Sequence, residues 1–163
     1  MFPADILIMA EAVVTKSRRS GLLVATAESC TGGLVAGAIT AVPGSSSALD
    51  RGFVTYSNEA KTQMLGVPAD LIANHGAVSE PVARAMAGGV LAKASAQVSV
   101  AVTGIAGPGG GSSDKPVGLV HFAAVGPLGL VHIEHRFGDI GRDAIRLEGV
   151  RVALSLLLAQ LET

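Results

Sequence analysis

Short apolar runs alternate with segments of helical periodicity along most of this chain, and this alternation limits the possible folds. Residues 22–27 and 98–102 have the composition of buried strands, residues 49–56 have that of a further strand, and helical patterns lie between them. Residues 117–125 and 130–137 are two further strands joined by a short turn, which predicts an antiparallel hairpin. Strands separated by helices are typical of a largely parallel sheet covered on both faces. We predict an α/β fold, a three-layer α/β/α sandwich with a mixed, mostly parallel sheet and one hairpin.

The length and composition suit one domain. The chain has 163 residues, and neither a repeat nor a long linker divides it. We therefore predict a single domain over residues 1–163. Hydrophobic residues form 49% of the sequence and charged residues only 15%. A buried subunit interface and a compact core rich in Ala and Val explain this equally well, and we expect a homo-oligomer.

Charge and aromatic content argue against several partners. The net charge is -1 and aromatic residues form 3% of the chain, so nucleic acid is not an expected partner. The single Cys30 cannot form an intramolecular disulfide, which suits a reducing compartment. The longest apolar run, residues 152–161, is short of the roughly 20 residues that span a bilayer, and no signal peptide is recognisable. We expect a cytoplasmic protein without a membrane partner.

Two glycine-rich loops follow predicted buried strands. Residues 28–33 place the Ser29 hydroxyl and backbone N–H groups at a strand–helix junction, which can bind an anion or hold a nucleophile. Residues 103–111 follow another strand, and ligands of open α/β sheets bind beyond the carboxyl ends of strands. Tight turns alone would also explain the glycines. The predicted substrate-binding residues in these loops are Thr31, Gly32, Gly33, Thr103 and Gly104.

A lysine is the candidate base for a serine nucleophile. Lys61 lies one helical turn past Ser57, and a lysine can act as a base when burial lowers its pKa. Tyr56 lies nearby and can orient or relay the proton. The predicted catalytic residues are therefore Ser29, Lys61 and Tyr56. Ser46, in a loop before the strand that leads to Tyr56, is the alternative nucleophile.

Arg142 begins the last predicted helix, with Arg146 four residues later. A cation in the first turn opposes the helix dipole, which makes sense if Arg142 binds an anion such as phosphate. An ion pair with Asp139 or Asp143 is the alternative interpretation.

Cysteine and histidine offer weaker candidates. Cys30 lies beside Ser29 near a helix N-terminus, but a packing role explains it better than a nucleophilic one. The sequence has no cysteine pair and no histidines at zinc-ligand spacing on a helix, so we predict no metal site. His75, which we place in a loop before Gly76, is more open to a role than the hairpin histidines.

Five segments together resemble one known family. They are residues 27–33, 52–61, 75–80, 103–108 and 115–118. Their sequences, their order and their spread over nearly the whole chain resemble the CinA C-terminal domain family. The chain is similar to the stand-alone form, without the nucleotide-pyrophosphatase-like domain that precedes this module in longer members.

The resemblance implies an amidohydrolase that converts nicotinamide mononucleotide and water to nicotinate mononucleotide and ammonia, in pyridine nucleotide recycling. It implies a small-molecule nucleotide substrate and no cofactor, neither metal nor organic. Ser29 would attack the carboxamide with Lys61 as base, and N–H groups near Thr31 or the Thr103–Gly104 turn would stabilise the oxyanion. The alternative is a non-catalytic nucleotide-binding or interaction module, in line with the family's historical link to competence and DNA damage.

Overall fold

The structure is a computed structural model that describes residues 1–162. Its helices and strands follow one another as α1 (Ala4–Ser20), β1 (Val24–Glu28), α2 (Leu34–Thr40), β2 (Leu49–Val54), α3 (Asn58–Leu65), α4 (Ala69–His75), α5 (Glu80–Lys93), β3 (Val98–Gly104), β4 (Leu119–Gly126), β5 (Gly129–Arg136) and α6 (Arg142–Gln160). A short 3₁₀ turn, Ser45–Ser47, precedes β2. None of these helices is both long and apolar enough to cross a membrane.

The strands form one mixed sheet in the order β2-β1-β3-β4-β5. β1 pairs in parallel with β2 on one side and with β3 on the other. β4 is antiparallel to both β3 and β5, and β4 and β5 form the hairpin. Four strands thus point the same way and β4 alone runs against them. The predicted mixed, mostly parallel sheet is confirmed.

Helices cover both faces of the sheet. α1, α2 and α6 pack on one face in a cluster that includes Val24, and α3, α4 and α5 pack on the other in a cluster that includes Ala25 and Ala27. Because every residue of β1 is buried, its sequence is continuously apolar or small apart from Thr26 and Glu28. The predicted three-layer sandwich is confirmed.

The loop predicted at His75 is wrong, because this segment is the helix α4. α4 was missed because it has seven residues and buries only Ile72, too few for a helical period to show. His75 is therefore the last residue of this helix and not part of a loop. Ser79 holds the N-cap position of α5, but its hydroxyl donates to the Gly76 carbonyl at 2.8 Å and does not cap the helix.

Candidate active site

The parallel strands end at one edge of the sheet, and the predicted site residues gather there. Ser29 directly follows β1, Tyr56 is the second residue after β2, and Gly104 ends β3. A pocket of about 210 Å³ opens at this edge. Six predicted residues line it: Ser29, Lys61, Tyr56, Thr103, Gly104 and Arg142. This position agrees with the rule that ligands of open α/β sheets bind beyond the strand carboxyl ends.

Four larger grooves lie elsewhere on the surface, and two of them are the most extensive. One of about 490 Å³ separates α3 from α4 and has a mainly apolar wall, and one of about 580 Å³ runs beside residues 108–112. Among residues 1–162, neither groove contains a hydroxyl that is hydrogen-bonded to an ionisable side chain. The smaller pocket is therefore the candidate active site, because it holds such a pair.

Lys61 and Ser29 form that pair. The Lys61 Nζ atom lies 3.0 Å from Ser29 Oγ, 2.8 Å from the carbonyl oxygen of Thr55 and 3.4 Å from that of Tyr56. Lys61 is 1% exposed and Ser29 8% exposed. Lys61 reaches this place because Ser57 caps α3, with its hydroxyl accepting a hydrogen bond from the N–H of Ala60 at 3.0 Å.

Burial lowers the pKa of the Lys61 amine below its ordinary value of 10.5. Its hydrogen-bond partners are a hydroxyl and two carbonyls, and none of them carries a charge that would hold the proton. A neutral amine would donate its two N–H bonds to the carbonyls and keep its lone pair for the Ser29 hydroxyl. The arrangement can therefore take a proton from Ser29.

Glu28 occupies the helix N-terminus that the sequence offered to an anion. Its fully buried carboxylate accepts hydrogen bonds from the N–H groups of Gly33 at 3.1 Å, Val35 at 3.0 Å and Ala36 at 2.9 Å. The predicted anion site at the start of α2 is thus filled by the protein's own side chain. Gly33 makes this approach possible because its φ of 99° is a left-handed conformation.

Replacing Glu28 with alanine is expected to lower the free energy of unfolding by about 3 kcal/mol, because three N–H groups, one of them buried and two part-buried, lose their charged acceptor. Glutamine keeps one acceptor oxygen at the same place, so Glu28→Gln should fall between the wild type and Glu28→Ala. Urea denaturation followed by circular dichroism measures both. Equal denaturation midpoints for all three proteins would contradict the capping role.

Tyr56 and Arg142 form the mouth of the pocket. The Tyr56 side chain is 62% exposed, and its hydroxyl accepts a hydrogen bond from Arg142 Nη2 at 3.2 Å. Arg142 Nη1 donates to the carbonyl of Gly107 at 2.7 Å. The backbone carbonyl of Tyr56, not its hydroxyl, contacts the Lys61 amine. The Arg142 guanidinium therefore faces the pocket mouth instead of pairing with Asp139 or Asp143.

Thr103 and Gly104 shape the wall of the pocket. The buried Thr103 hydroxyl donates to the carbonyl of Ala77 at 2.9 Å, so this side chain positions the neighbouring segment. A Cβ atom at position 104 would lie 2.7 Å from a methyl group of Val120, which only glycine avoids. Both residues line the pocket as predicted, with the Thr103 hydroxyl already engaged.

Four other predicted residues are not brought to the pocket wall. Thr31, Gly32 and Gly33 belong to the turn behind Ser29, and the Thr31 side chain is buried with its methyl group towards Gly149. Ser46 is exposed in the 3₁₀ turn before β2, whereas Lys61 meets the opposite end of that strand. The geometry favours Ser29 over Ser46 as the hydroxyl that a base can activate.

Cys30 is not suited to attack a substrate. It lines the pocket beside Ser29, but burial raises the pKa of its thiol to about 11. A protonated thiol is a poor nucleophile at neutral pH, so this side chain serves as packing, as its sequence context indicated.

Besides Cys30, four lining residues were not among the predicted site residues: Asn58, Ala77, Val78 and Ala106. Asn58 lies between Tyr56 and Lys61 in the chain, so its place beside them had a local signal. Ala77 and Val78 had no such local signal, because the hydrogen bond from Thr103, at the end of β3, holds their segment beside the pocket. Arg146, which also contacts the Ser29 turn, was noted in the sequence but given no site role.

Comparison with known proteins places these residues in a family context. The model of the CinA C-terminal domain matches residues 7–161. The chain is 52% identical over 148 residues to a CinA-like protein of Anaeromyxobacter sp. (strain K), covering 90% of the chain and 36% of that protein. It is 48% identical over 162 residues to the nicotinamide-nucleotide amidohydrolase PncC of Escherichia coli (strain K12), covering 98% of the chain and 97% of PncC. The chain thus spans about a third of the CinA-like relative and nearly all of PncC.

Solved structures share the whole fold. The crystal structure of the competence/damage inducible protein CihA from Agrobacterium tumefaciens is 54% identical with a TM-score of 0.97, covering 100% of this chain and 99% of that chain. The competence damage-inducible protein A (ComA) from Klebsiella pneumoniae is 36% identical with a TM-score of 0.90, covering 96% of each chain. The chain therefore has the same architecture as these two relatives.

Proposed function

The chain belongs to the CinA C-terminal domain family, and on that premise we propose that it is an amidohydrolase that deamidates nicotinamide mononucleotide. The observation that carries the proposal is the 3.0 Å contact between the Lys61 amine and the Ser29 hydroxyl in a buried pocket. The name of the Escherichia coli relative PncC supports a nicotinamide nucleotide as the substrate. The products would be nicotinate mononucleotide and ammonia.

In the first half of the reaction, Ser29 Oγ attacks the carboxamide carbon while its proton passes to the neutral Lys61 amine. The carbonyl oxygen becomes an oxyanion. When the tetrahedral intermediate collapses, Lys61 returns the proton to the amide nitrogen, the C–N bond breaks and ammonia leaves. Ser29 then carries the nicotinate group as an ester.

In the second half, water attacks the ester carbon and gives a proton to Lys61. The intermediate breaks its bond to Ser29 Oγ, which takes the proton back from Lys61. The nicotinate product leaves as a carboxylate, with the balancing proton passing to solvent. Water and one amide thus give one carboxylate and one ammonium ion. The whole sequence needs one base that alternates between two protonation states, which the lowered pKa of Lys61 permits.

The size of the pocket indicates how the nucleotide would lie. A volume of about 210 Å³ is below the range of roughly 300–1,000 Å³ typical for drug-sized ligands, so it suits the pyridine ring and its amide. The ribose and phosphate would then extend past Tyr56 to the mouth. Arg142 is exposed there and can bind the phosphate through two N–H groups.

The direct test is ammonia release from nicotinamide mononucleotide by the purified protein, followed by a coupled assay and by chromatography of nicotinate mononucleotide. We expect turnover of the mononucleotide and much weaker turnover of free nicotinamide, which lacks the phosphate for Arg142. Binding of the mononucleotide without ammonia release would instead support the non-catalytic module. Release from nicotinamide at an equal kcat/KM would contradict the role given to the phosphate.

A further inference from the structure

Arg146 contacts the turn that carries Ser29 from the side of α6. Its Nε atom donates to the carbonyl of Cys30 at 3.1 Å, and its Nη2 atom lies 3.4 Å from the carbonyl of Thr31. The side chain is half-buried and lies outside the pocket lining, so it does not reach the substrate position directly. These contacts join residues that are 115 and 116 positions apart in the chain.

The contacts of Arg146 and a backbone hydrogen bond within the turn together decide where two N–H groups point. A trans peptide unit is planar, so the N–H of Thr31 points away from the carbonyl of Cys30 that Arg146 holds. The carbonyl of Ser29 likewise accepts a hydrogen bond from Gly32 at 3.0 Å, which directs the N–H of Cys30 to the other side of its own peptide. Neither N–H, of Cys30 or of Thr31, donates to an acceptor within residues 1–162.

The two ends of this turn are held by opposite charges. Glu28 accepts the N–H groups of Gly33, Val35 and Ala36, so those donors are not available to a substrate. Arg146 donates to the carbonyl oxygens of Cys30 and Thr31, while the N–H of Gly32 donates back to the carbonyl of Ser29. The N–H of Cys30 is left without an acceptor within residues 1–162.

We propose that Arg146 is a positioning residue that holds the Cys30 carbonyl, and with it the turn after Ser29, so that the N–H of the pocket-lining Cys30 stabilises the oxyanion on the attacked amide. The inference rests on the proposed function, since it needs Ser29 to be the nucleophile. Arg146 acts through the backbone of the turn, whereas Arg142, one helical turn earlier, binds the phosphate of the substrate. The two arginines therefore have separable kinetic effects.

Steady-state kinetics of Arg146→Gln and Arg142→Gln separate these roles. Loss of one oxyanion-hole donor typically costs about 100-fold or more in kcat, so Arg146→Gln should lower kcat by about 100-fold with little change in KM. Arg142→Gln should raise KM and leave kcat far less affected. Arg146→Lys keeps the charge and one donor but not the fork, so its kcat should lie between those of the wild type and Arg146→Gln.

A serine-directed fluorophosphonate gives a readout that does not depend on the nucleotide. Ser29 Oγ forms a bond to phosphorus, fluoride leaves with the P–F electron pair, and the hydroxyl proton passes to Lys61. The phosphoryl oxygen takes the place of the oxyanion, so labelling of Ser29, followed by mass spectrometry, should be slowed in Arg146→Gln and unchanged in Arg19→Gln, an exposed substitution in α1. The more conservative Arg146→Lys is measured in the same way, so the test stands even if Arg146→Gln fails to fold.

The outcomes distinguish this inference from the proposed function. A wild-type protein that neither releases ammonia nor labels at Ser29 overturns the proposed function, and the role of Arg146 with it. An active wild type with an Arg146→Gln that folds, keeps kcat and raises KM overturns the positioning role alone. Equal labelling rates in the wild type and both Arg146 variants would also overturn the positioning role of Arg146 alone.

Discussion

Replacing Ser29 with alanine is expected to reduce kcat for ammonia release from nicotinamide mononucleotide by roughly 10⁴-fold or more. The alanine variant has no hydroxyl that could form the acyl ester, and the neighbouring Cys30 cannot take its place because burial keeps its thiol protonated. The side chain is small and 8% exposed, so its removal should not disturb the fold. Coupled measurement of ammonia gives kcat, and thermal unfolding confirms that the variant is folded.

Ser46→Ala is the matched control for this experiment. Ser46 is exposed and lies before β2, at the end of the strand opposite the pocket, so its variant should keep the wild-type kcat. Mass spectrometry of an acid-quenched reaction should find the acyl group on the peptide that contains Ser29. Full activity in Ser29→Ala, with activity lost in Ser46→Ala, would move the nucleophile to Ser46.

Replacing Lys61 with arginine is expected to lower kcat by about 10³-fold, within the range usual for loss of a general base. Arginine keeps a positive charge and can donate to the Thr55 carbonyl, but it does not lose a proton in the accessible pH range. The variant therefore separates the charge of Lys61 from its ability to accept the Ser29 proton. Lys93→Arg, an exposed substitution at the end of α5, is the control and should leave kcat unchanged.

The same pair of variants tests the pH dependence. The base is active when the Lys61 amine is neutral, so kcat/KM of the wild type should rise with pH as this group loses its proton. Because burial lowers the pKa of Lys61, the midpoint of the rise should lie below 10.5. The rise should persist in Lys93→Arg and disappear in Lys61→Arg. An unchanged pH profile in Lys61→Arg would assign the base to another group.

The architecture could be predicted because its signals are local. The burial of β1 and β3 on both faces appears directly as apolar runs, and the ends of α1 and α3 are marked by Gly21 and Gly66 in left-handed conformations. The seven-residue α4 lacked such a signal and was missed. Whether a segment is a helix or a strand could thus be predicted from residues that lie within one or two helical turns of each other.

The segment of residues 28–33 differs in one respect from the prediction made from its local sequence. Its strand–helix junction was predicted correctly, but the helix N–H groups were expected to meet a ligand. Glu28 takes them instead, because a buried glutamate at the end of β1 is close enough to turn back onto α2. Spacing alone does not tell whether such a side chain faces the helix or the solvent.

By itself, the sequence determined the strands and the helices other than α4, the sandwich class and the family, and it named Ser29 and Lys61 as candidates. Only the tertiary structure brought the Lys61 amine to within 3.0 Å of Ser29 rather than Ser46, and only it placed Arg146 on the Ser29 turn. The physical reason is separation along the chain. Contacts between residues 32 and 116 positions apart depend on the order of the strands in the sheet and on the face against which α6 packs. Neither property produces a periodic pattern in the sequence.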